Sequence, residues 1–323
     1  MKYIGLQKQI NRNNYMSILL LLAFPALILL AVFAFTTYAT AHQLHGIQWE
    51  ESKQLFIQTI PGVLVAVGVW FLIAYFANAK MINIASGSKT LERRDNMRVY
   101  NLTENLCMSV GMPMPMLRVI NSPALNAFAS GLKEKNYTVT LTTGIIETLD
   151  DEELEGVIAH ELMHIRNKDV RLLVISIIFV GIFSFVAQIA FRTFLFGGMG
   201  GRSNRRDDKG GGGAAILVIM VIVFVAYLLS VVFKLALSRK REYLADSGAA
   251  EITRKPWSLA SALRKISGNS NIESVTNEDV KEMFIDNTPS KDAKKKSSFL
   301  STLNSYFSTP PPIEKRIQFL EQL

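Results

Sequence analysis

The sequence has a single cysteine, Cys107, in 323 residues. One thiol cannot close an intramolecular disulfide, nor can it build a cysteine-based metal site. Any metal must therefore be held by histidine, aspartate or glutamate. Acidic residues are missing where transporters need them. Four apolar runs, at 17–39, 55–78, 172–191 and 214–233, contain no Asp or Glu. Each is long enough to cross a bilayer as a helix. Transporters and proton pumps place ionisable groups inside such spans, so the pattern argues against that class. The glycines of the charged loop 197–213 follow no strand, so no phosphate-cradling turn is read there.

What is present points to a membrane. The chain is 49% hydrophobic with a mean hydropathy of +0.23, high for a soluble protein. The net charge of +8 is scattered around the apolar spans. It suits an anionic lipid surface better than a nucleic acid, and no nucleic-acid partner is expected. Ala39-Thr40-Ala41 resembles a cleavage site, but the preceding run is longer than a signal core and a second span follows soon after. An uncleaved anchor is the better reading. Basic flanks at 1–16 and 80–98, around a nearly neutral polar loop at 40–54, put the N-terminus and residue 80 in the cytoplasm. Arg202, Arg205, Arg206 and Lys209 in loop 197–213 run against that tendency, which leaves open a second hairpin that does not fully cross.

Between the spans lies a segment with soluble character. Leu91–Val110 has helical patterning, and Met112-Pro113-Met114-Pro115 breaks it. Strand-like runs follow at Met116–Ile120, Asn126–Ser130 and Tyr137–Thr142, with Gly131 and Lys133–Asn136 as the turn between the last two. The alternation of Val139 and Leu141 with threonines predicts a half-exposed strand. An edge strand beside a metal site can bind an extended peptide; a strand that merely covers the helix has the same pattern.

The stretch Asp150–Asp169 is the most informative. Asp150 is placed to cap a helix, with Glu153 closing a capping box and Leu149 and Leu154 at staple positions. Leu154, Val157, Ile158, Leu162 and Ile165 keep a helical period. That helix carries His160-Glu161-Leu162-Met163-His164, an H-E-x-x-H motif. Residues four apart share a helix face, so the two imidazoles can hold one zinc ion. Glu161 is then close enough to take a proton from a water that the ion activates. His42 and His45 stand three apart with only Glu50 and Glu51 as nearby carboxylates, and they read as exposed loop histidines.

The second informative stretch is 234–250, where Glu242 and Asp246 stand four apart on a predicted helix. One carboxylate can complete a His, His, Glu zinc site, and the other can orient a ligand imidazole. Two histidines, a carboxylate and a base leave a position open for water, the pattern of catalytic rather than structural zinc. Residues 251–308 are polar, consistent with a short helix pair and a loop, and the lysines at Lys294–Lys296 read as a solvated face. A proline stop at 310–312 precedes a C-terminal helix over Ile313–Leu323.

Together these residues resemble the membrane-bound zinc metalloproteases of the HtpX type, relatives of the CAAX prenyl endoproteases. The similar elements are 126–131 (NAFASG), 142–144 (TTG), 153–164 (ELEGVIAHELMH), 241–246 (REYLAD) and 311–317 (PPIEKRI). The resemblance implies an α-helical membrane protein with four transmembrane helices and a cytoplasmic α+β zincin-like domain carrying a small β-sheet. The parts would be a first pair of membrane helices in 1–79, the zincin-like part in 80–169, a second pair in 170–237, and a C-terminal part in 238–323 completing the site. It implies a multi-pass protease of the bacterial inner membrane, with its site facing the cytoplasm, that cuts unfolded or damaged membrane proteins. By the same resemblance, His160, His164 and Glu242 bind one Zn2+ and Glu161 is the base. Asp246 supports the site, and Asn126, Ala127, Phe128 and Ala129 form the strand that pairs with substrate. A large intramembrane chamber, as a prenyl endoprotease needs, is not expected from four spans. One departure stands out: Pro310 occupies the place of the histidine that usually precedes the two prolines. That histidine can help hold a developing oxyanion, and losing such a donor typically costs about 2.7–4 kcal/mol of barrier. A catalytically weak scaffold or holdase of the same fold is the rival reading.

Overall fold

The structure is a computed structural model. It describes residues 48–175, 239–267, 269–272, 275, 283–286 and 311–323, with scattered positions between 8 and 40. The expected spans beyond residue 175 and at 214–233, loop 197–213, His42, His45, Lys294–Lys296 and Pro310 lie outside the described residues. The chain divides into two compact units. One comprises Met16–Phe76 and Ile175–Phe233; the other comprises Met1–Tyr15, Ala77–Val174 and Lys234–Leu323.

The first unit holds most of α1 (Trp49–Ser86). Its stretch Trp49–Ile73 has a mean hydropathy of 2.1, is not buried, and is long and apolar enough to cross a membrane by length and composition. The helix starts earlier than the expected polar loop 40–54 allows, because Glu50 and Glu51 suit the positive end of a helix. It also outruns the apolar stretch: Lys80 ends the hydrophobic run but not the hydrogen-bonded spiral. Pro61 lies within it, as membrane helices tolerate. An edge contact between Phe33 and Phe56, with centroids 5.1 Å apart, joins the first apolar run to this helix.

In the second unit, β1 (Lys89–Thr90), β2 (Met116–Ile120), β3 (Ala127–Ser130) and β4 (Thr138–Thr142) form one sheet in the order β1-β2-β4-β3. β2 and β4 are parallel, and the outer pairs are antiparallel. β4 is therefore central, and all five of its residues are buried rather than alternately exposed. Two of its threonines are accommodated by hydroxyl contacts, Thr138 with Ser130 Oγ and Thr142 with the Ala124 carbonyl. Gly131, at φ +121°, makes the turn out of β3, where an added Cβ would meet the Asn136 carbonyl oxygen at 2.4 Å. α2 covers Met97–Val110 only. The residues from Leu91 do not join it, because the Leu91 N–H donates to the Leu117 carbonyl beside β1 and Asn96 caps the helix through Val99 N–H.

After α3 (Thr143–Thr148) comes α4 (Asp151–Arg166), the helix of the histidine motif. Its capping box is closed: Asp150 accepts from Glu153 N–H at 2.9 Å, and Glu153 accepts from Asp150 N–H at 3.1 Å. Leu154, Val157, Ile158 and Leu162 are at most 1% exposed. α5 (Arg239–Thr253) and α6 (Pro256–Ile266) pack on it, and α7 (Ile313–Leu320) packs on α5 and α6. Gly156 is where α4 and α6 cross; a Cβ there would stand 3.1 Å from Leu259 N. α7 ends at Leu320, three residues short of the chain end, and buries Ile313, Arg316 and Leu320.

Glu153 also accepts hydrogen bonds from Ser261 Oγ at 2.7 Å and Lys265 Nζ at 2.6 Å, and so ties α6 to the start of α4. Glu153→Ala removes the box and takes the acceptor from the part-buried Asp150 N–H and Ser261 hydroxyl and from Lys265. The expected loss is about 1–3 kcal/mol of unfolding free energy, measured by denaturant titration of the detergent-solubilised chain.

Candidate active site

His160 and His164 stand one turn apart on α4, their rings edge to face with centroids 4.7 Å apart. Their Nε2 atoms lie 3.1 Å from each other. α5 brings Glu242 against this pair, with Oε2 3.5 Å from His160 Nε2 and Oε1 3.7 Å from His164 Nε2. The three donor groups lie within 4.8 Å of one another. Ligand atoms placed tetrahedrally around an ion at about 2.0–2.1 Å stand roughly 3.3–3.4 Å apart. The triangle in the protein has that size, and its donor set, two imidazoles and a carboxylate, suits a divalent transition metal.

Asp246, one turn after Glu242, is fully buried. Its Oδ1 lies 2.9 Å from His160 Nδ1. A carboxylate opposite Nδ1 holds the proton there and leaves the Nε2 lone pair facing the other donors. Burial and Arg316 oppose protonation of His160, yet its hydrogen bonds to Asp246 and Glu242 prevail and raise its pKa to about 9. Burial would raise Glu242, but the His164 charge, the His160 hydrogen bond and Arg316 hold it well below the usual carboxylate range. The pocket thus attracts positive charge.

Glu161 follows His160 on α4 and is 2% exposed. Burial pushes its carboxyl above the ordinary range, against the pull of the two histidines. A carboxylate shifted upward in this way is a stronger base than an ordinary one, the property a general base needs. Cys107 has no such role: burial pushes its thiol up to about 11, so it stays protonated at neutral pH.

Arg316 lies within the 311–317 match, where the resemblance implies no role for it, and the structure places it at the centre of the site. It is 1% exposed. Its Nε donates to Asp246 Oδ2 at 2.9 Å and its NH2 to Oδ1 at 2.7 Å, a two-pronged pair. NH1 donates to the Ile285 carbonyl at 3.0 Å and lies 3.5 Å from Glu242 Oε2. The signal in the sequence was a charge on the buried face of an amphipathic helix, in register with Ile313 and Leu320.

The four expected strand residues divide. Asn126 precedes β3, is fully buried, and spends its side chain on structure. Nδ2 donates to the Ser270 and Asp286 carbonyls at 2.8 and 2.9 Å, and Oδ1 accepts from Ala127 N–H. Phe128 stacks at a tilt against Phe284, with centroids 5.3 Å apart. Thr142 N–H donates to the Asn126 carbonyl, so Asn126 and Phe128 face β4 with their backbone groups, while Ala127 and Ala129 face the outer edge. The Ala127 carbonyl already accepts from Ile285 N–H at 2.9 Å. Ala129 is the next outward-facing rung.

Comparison with known proteins gives the family. The description "Peptidase family M48" matches residues 93–323. A "Protease HtpX homolog" of Bacteroides fragilis is 50% identical, covering 100% of both chains. One from Listeria monocytogenes is 36% identical over 81% of this chain and 86% of its own. A solved structure, "Crystal Structure of S. mikatae Ste24p", is 18% identical with a TM-score of 0.46, covering 82% of this chain and 58% of the other.

Two measurements follow from this geometry. Glu242→Gln removes a charged oxygen from the triangle and is expected to weaken retention of a divalent metal at least tenfold, read by chelator competition. Arg316→Met strands the fully buried Asp246 carboxylate. Breaking such a pair costs about 3–5 kcal/mol, and denaturant unfolding is expected to register a loss of that size.

Proposed function

Since the chain belongs to peptidase family M48 and is a protease of the HtpX type, we propose that it is a zinc-dependent endopeptidase of the membrane. The observation that carries this reading is the convergence of two Nε2 atoms and the Glu242 carboxylate beside a buried Glu161. His160, His164 and Glu242 would hold the zinc ion. When bound there, zinc lowers the pKa of water towards about 7 and draws charge from a carbonyl oxygen. Glu161 takes the proton of the attacking water and passes it to the departing amine nitrogen. Asp246 keeps the His160 proton on Nδ1, and Arg316 keeps Asp246 ionised and in place. An extended segment of substrate pairs with the outer edge of β3 at Ala129, beyond the rung that Ile285 occupies.

The substrates we propose are unfolded or damaged membrane proteins of a bacterial inner membrane, cut from the cytoplasmic side. Supporting this are the apolar stretch Trp49–Ile73 and the basic residues that follow it, Lys80, Lys89, Arg93 and Arg94. The rival, a scaffold or holdase without useful turnover, rests on Pro310 standing where relatives of this type carry histidine. The chemistry of Glu161 argues against it, since a scaffold has no use for a buried base.

The test is cleavage of an unfolded reporter by detergent-purified protein, stripped with chelator and reloaded with zinc. Glu161→Gln is expected to bind zinc normally and to lose about 10²–10⁴-fold in rate. Full activity in that variant would sink the mechanism. Zinc bound by both proteins with no cleavage by either, on soluble and bilayer-embedded reporters alike, would favour the scaffold.

A further inference from the structure

Asp246 orients His160, but the sequence named no partner for His164. In the structure, His164 Nδ1 lies 3.4 Å from Asp169 Oδ2, and Asp169 is 2% exposed. The backbone is bent to bring that carboxylate there. In a continuous α-helix, residue 169 would stand about 7.5 Å along the axis and about 140° round from His164, out of reach. Instead α4 ends at Arg166, and Asn167 N–H still bonds back to the Met163 carbonyl. Lys168 then takes φ +60°, a left-handed conformation that side chains with a Cβ seldom adopt. That single reversal starts a new helical run over 169–175 and folds Asp169 back beneath the last turn of α4. Arg241, 6% exposed and adjacent in sequence to Glu242, reaches the Asp169 carbonyl with NH1 at 3.5 Å.

We infer that Asp169 is a positioning residue for His164: its carboxylate keeps the proton on Nδ1 and so presents the Nε2 lone pair to the metal. The inference rests on the zinc reading above. It makes the site two-sided. Arg316, Asp246 and His160 form one file, and Arg241, Asp169 and His164 form the other, each running from an arginine to an imidazole. The files differ in strength. Asp246 is gripped through both oxygens by its arginine, whereas Arg241 holds Asp169 by the backbone, and the contact to the ring is longer. A purely local role is the competing explanation, because Asp169 stands in the first turn of a helical run, where a carboxylate is favoured for the dipole alone.

The experiment separates the two. The whole chain has four histidines, so a ¹⁵N-histidine spectrum of the detergent-solubilised, zinc-loaded protein is small enough to assign by single substitution. His164 is expected to carry its proton on Nδ1. Zinc release to a chelator is expected to quicken about 10–100-fold in Asp169→Ala. In Asp169→Asn, whose amide oxygen can still accept from Nδ1–H, the change is expected to be smaller. A helix-capping role would lower the unfolding midpoint of the metal-free chain in both variants and leave zinc release alone. Wild-type release rates in both variants, or a His164 proton on Nε2 in the unmutated protein, would overturn the inference while leaving the zinc reading intact. Failure of the unmutated chain to bind zinc would overturn the reading itself, and this inference with it.

Discussion

The site depends on one buried ionic contact, the grip of Arg316 on Asp246. A carboxylate removed from water costs several kcal/mol unless its charge is met and its lone pairs are filled. Asp246 has no solvent to turn to. Its two oxygens take two guanidinium N–H groups and the His160 Nδ1 proton. Asp246 stands on α5 and its partners come from α7 and α4, so satisfying one carboxylate fixes three helices that lie far apart in the chain. The same guanidinium reaches the Ile285 carbonyl, and the Ile285 N–H reaches the Ala127 carbonyl on β3. A continuous line of hydrogen bonds therefore runs from a metal-facing imidazole to the outer edge of the sheet. Arginine is the residue for this position, because its rigid fork serves the carboxylate and the peptide at once; lysine offers a single point charge.

The other end of α4 is held by a different polar cluster. Glu153 closes the capping box and also receives Ser261 and Lys265 from α6. Between the two clusters the helix is dry, with Leu154, Val157, Ile158 and Leu162 packed. The histidines therefore project from a rod fixed at both ends, which preorganises them for a metal better than a loop could.

Local signals in the sequence carried a great deal of this. The span of α4, its cap and its box were readable because each depends on residues within one turn of another. The carboxylates of α5 were readable because helical spacing puts Glu242 and Asp246 on one face. What escaped depended on tertiary placement. The alternating threonines of β4 suggest a half-exposed strand, yet both its faces are buried while β2, equally interior to the sheet, is not, so packing over β4 decides its burial. The helix expected from Leu91 begins at Met97 because Leu91 is drawn to Leu117, a contact across the sheet. Asn126 gives no local hint of what its side chain does: it is committed to two carbonyls more than 140 residues away. Asp169 was hidden by a backbone reversal at Lys168, a residue with no glycine-like signature.

Charge balance joins these parts. Glu161, Glu242 and Asp246 are three carboxyl groups in one pocket; Arg316 pairs with Asp246 and lies 3.5 Å from Glu242, but brings a single positive charge to the three. Protein interiors do not keep unmatched charge cheaply. The elevated pKa of His160 and the upward push on Glu161 are two ways the pocket recovers neutrality with protons alone. A divalent cation does so without protons, since its two charges and that of Arg316 equal the three carboxylates. Metal and proton thus compete for the same electrostatic vacancy, and metal binding is linked to the stability of the helices that supply the donors. On this argument Arg316 sets the charge that the pocket demands. With a neutral residue there, the carboxylates would outweigh a divalent ion. With a second cation, the pocket would have little use for a metal.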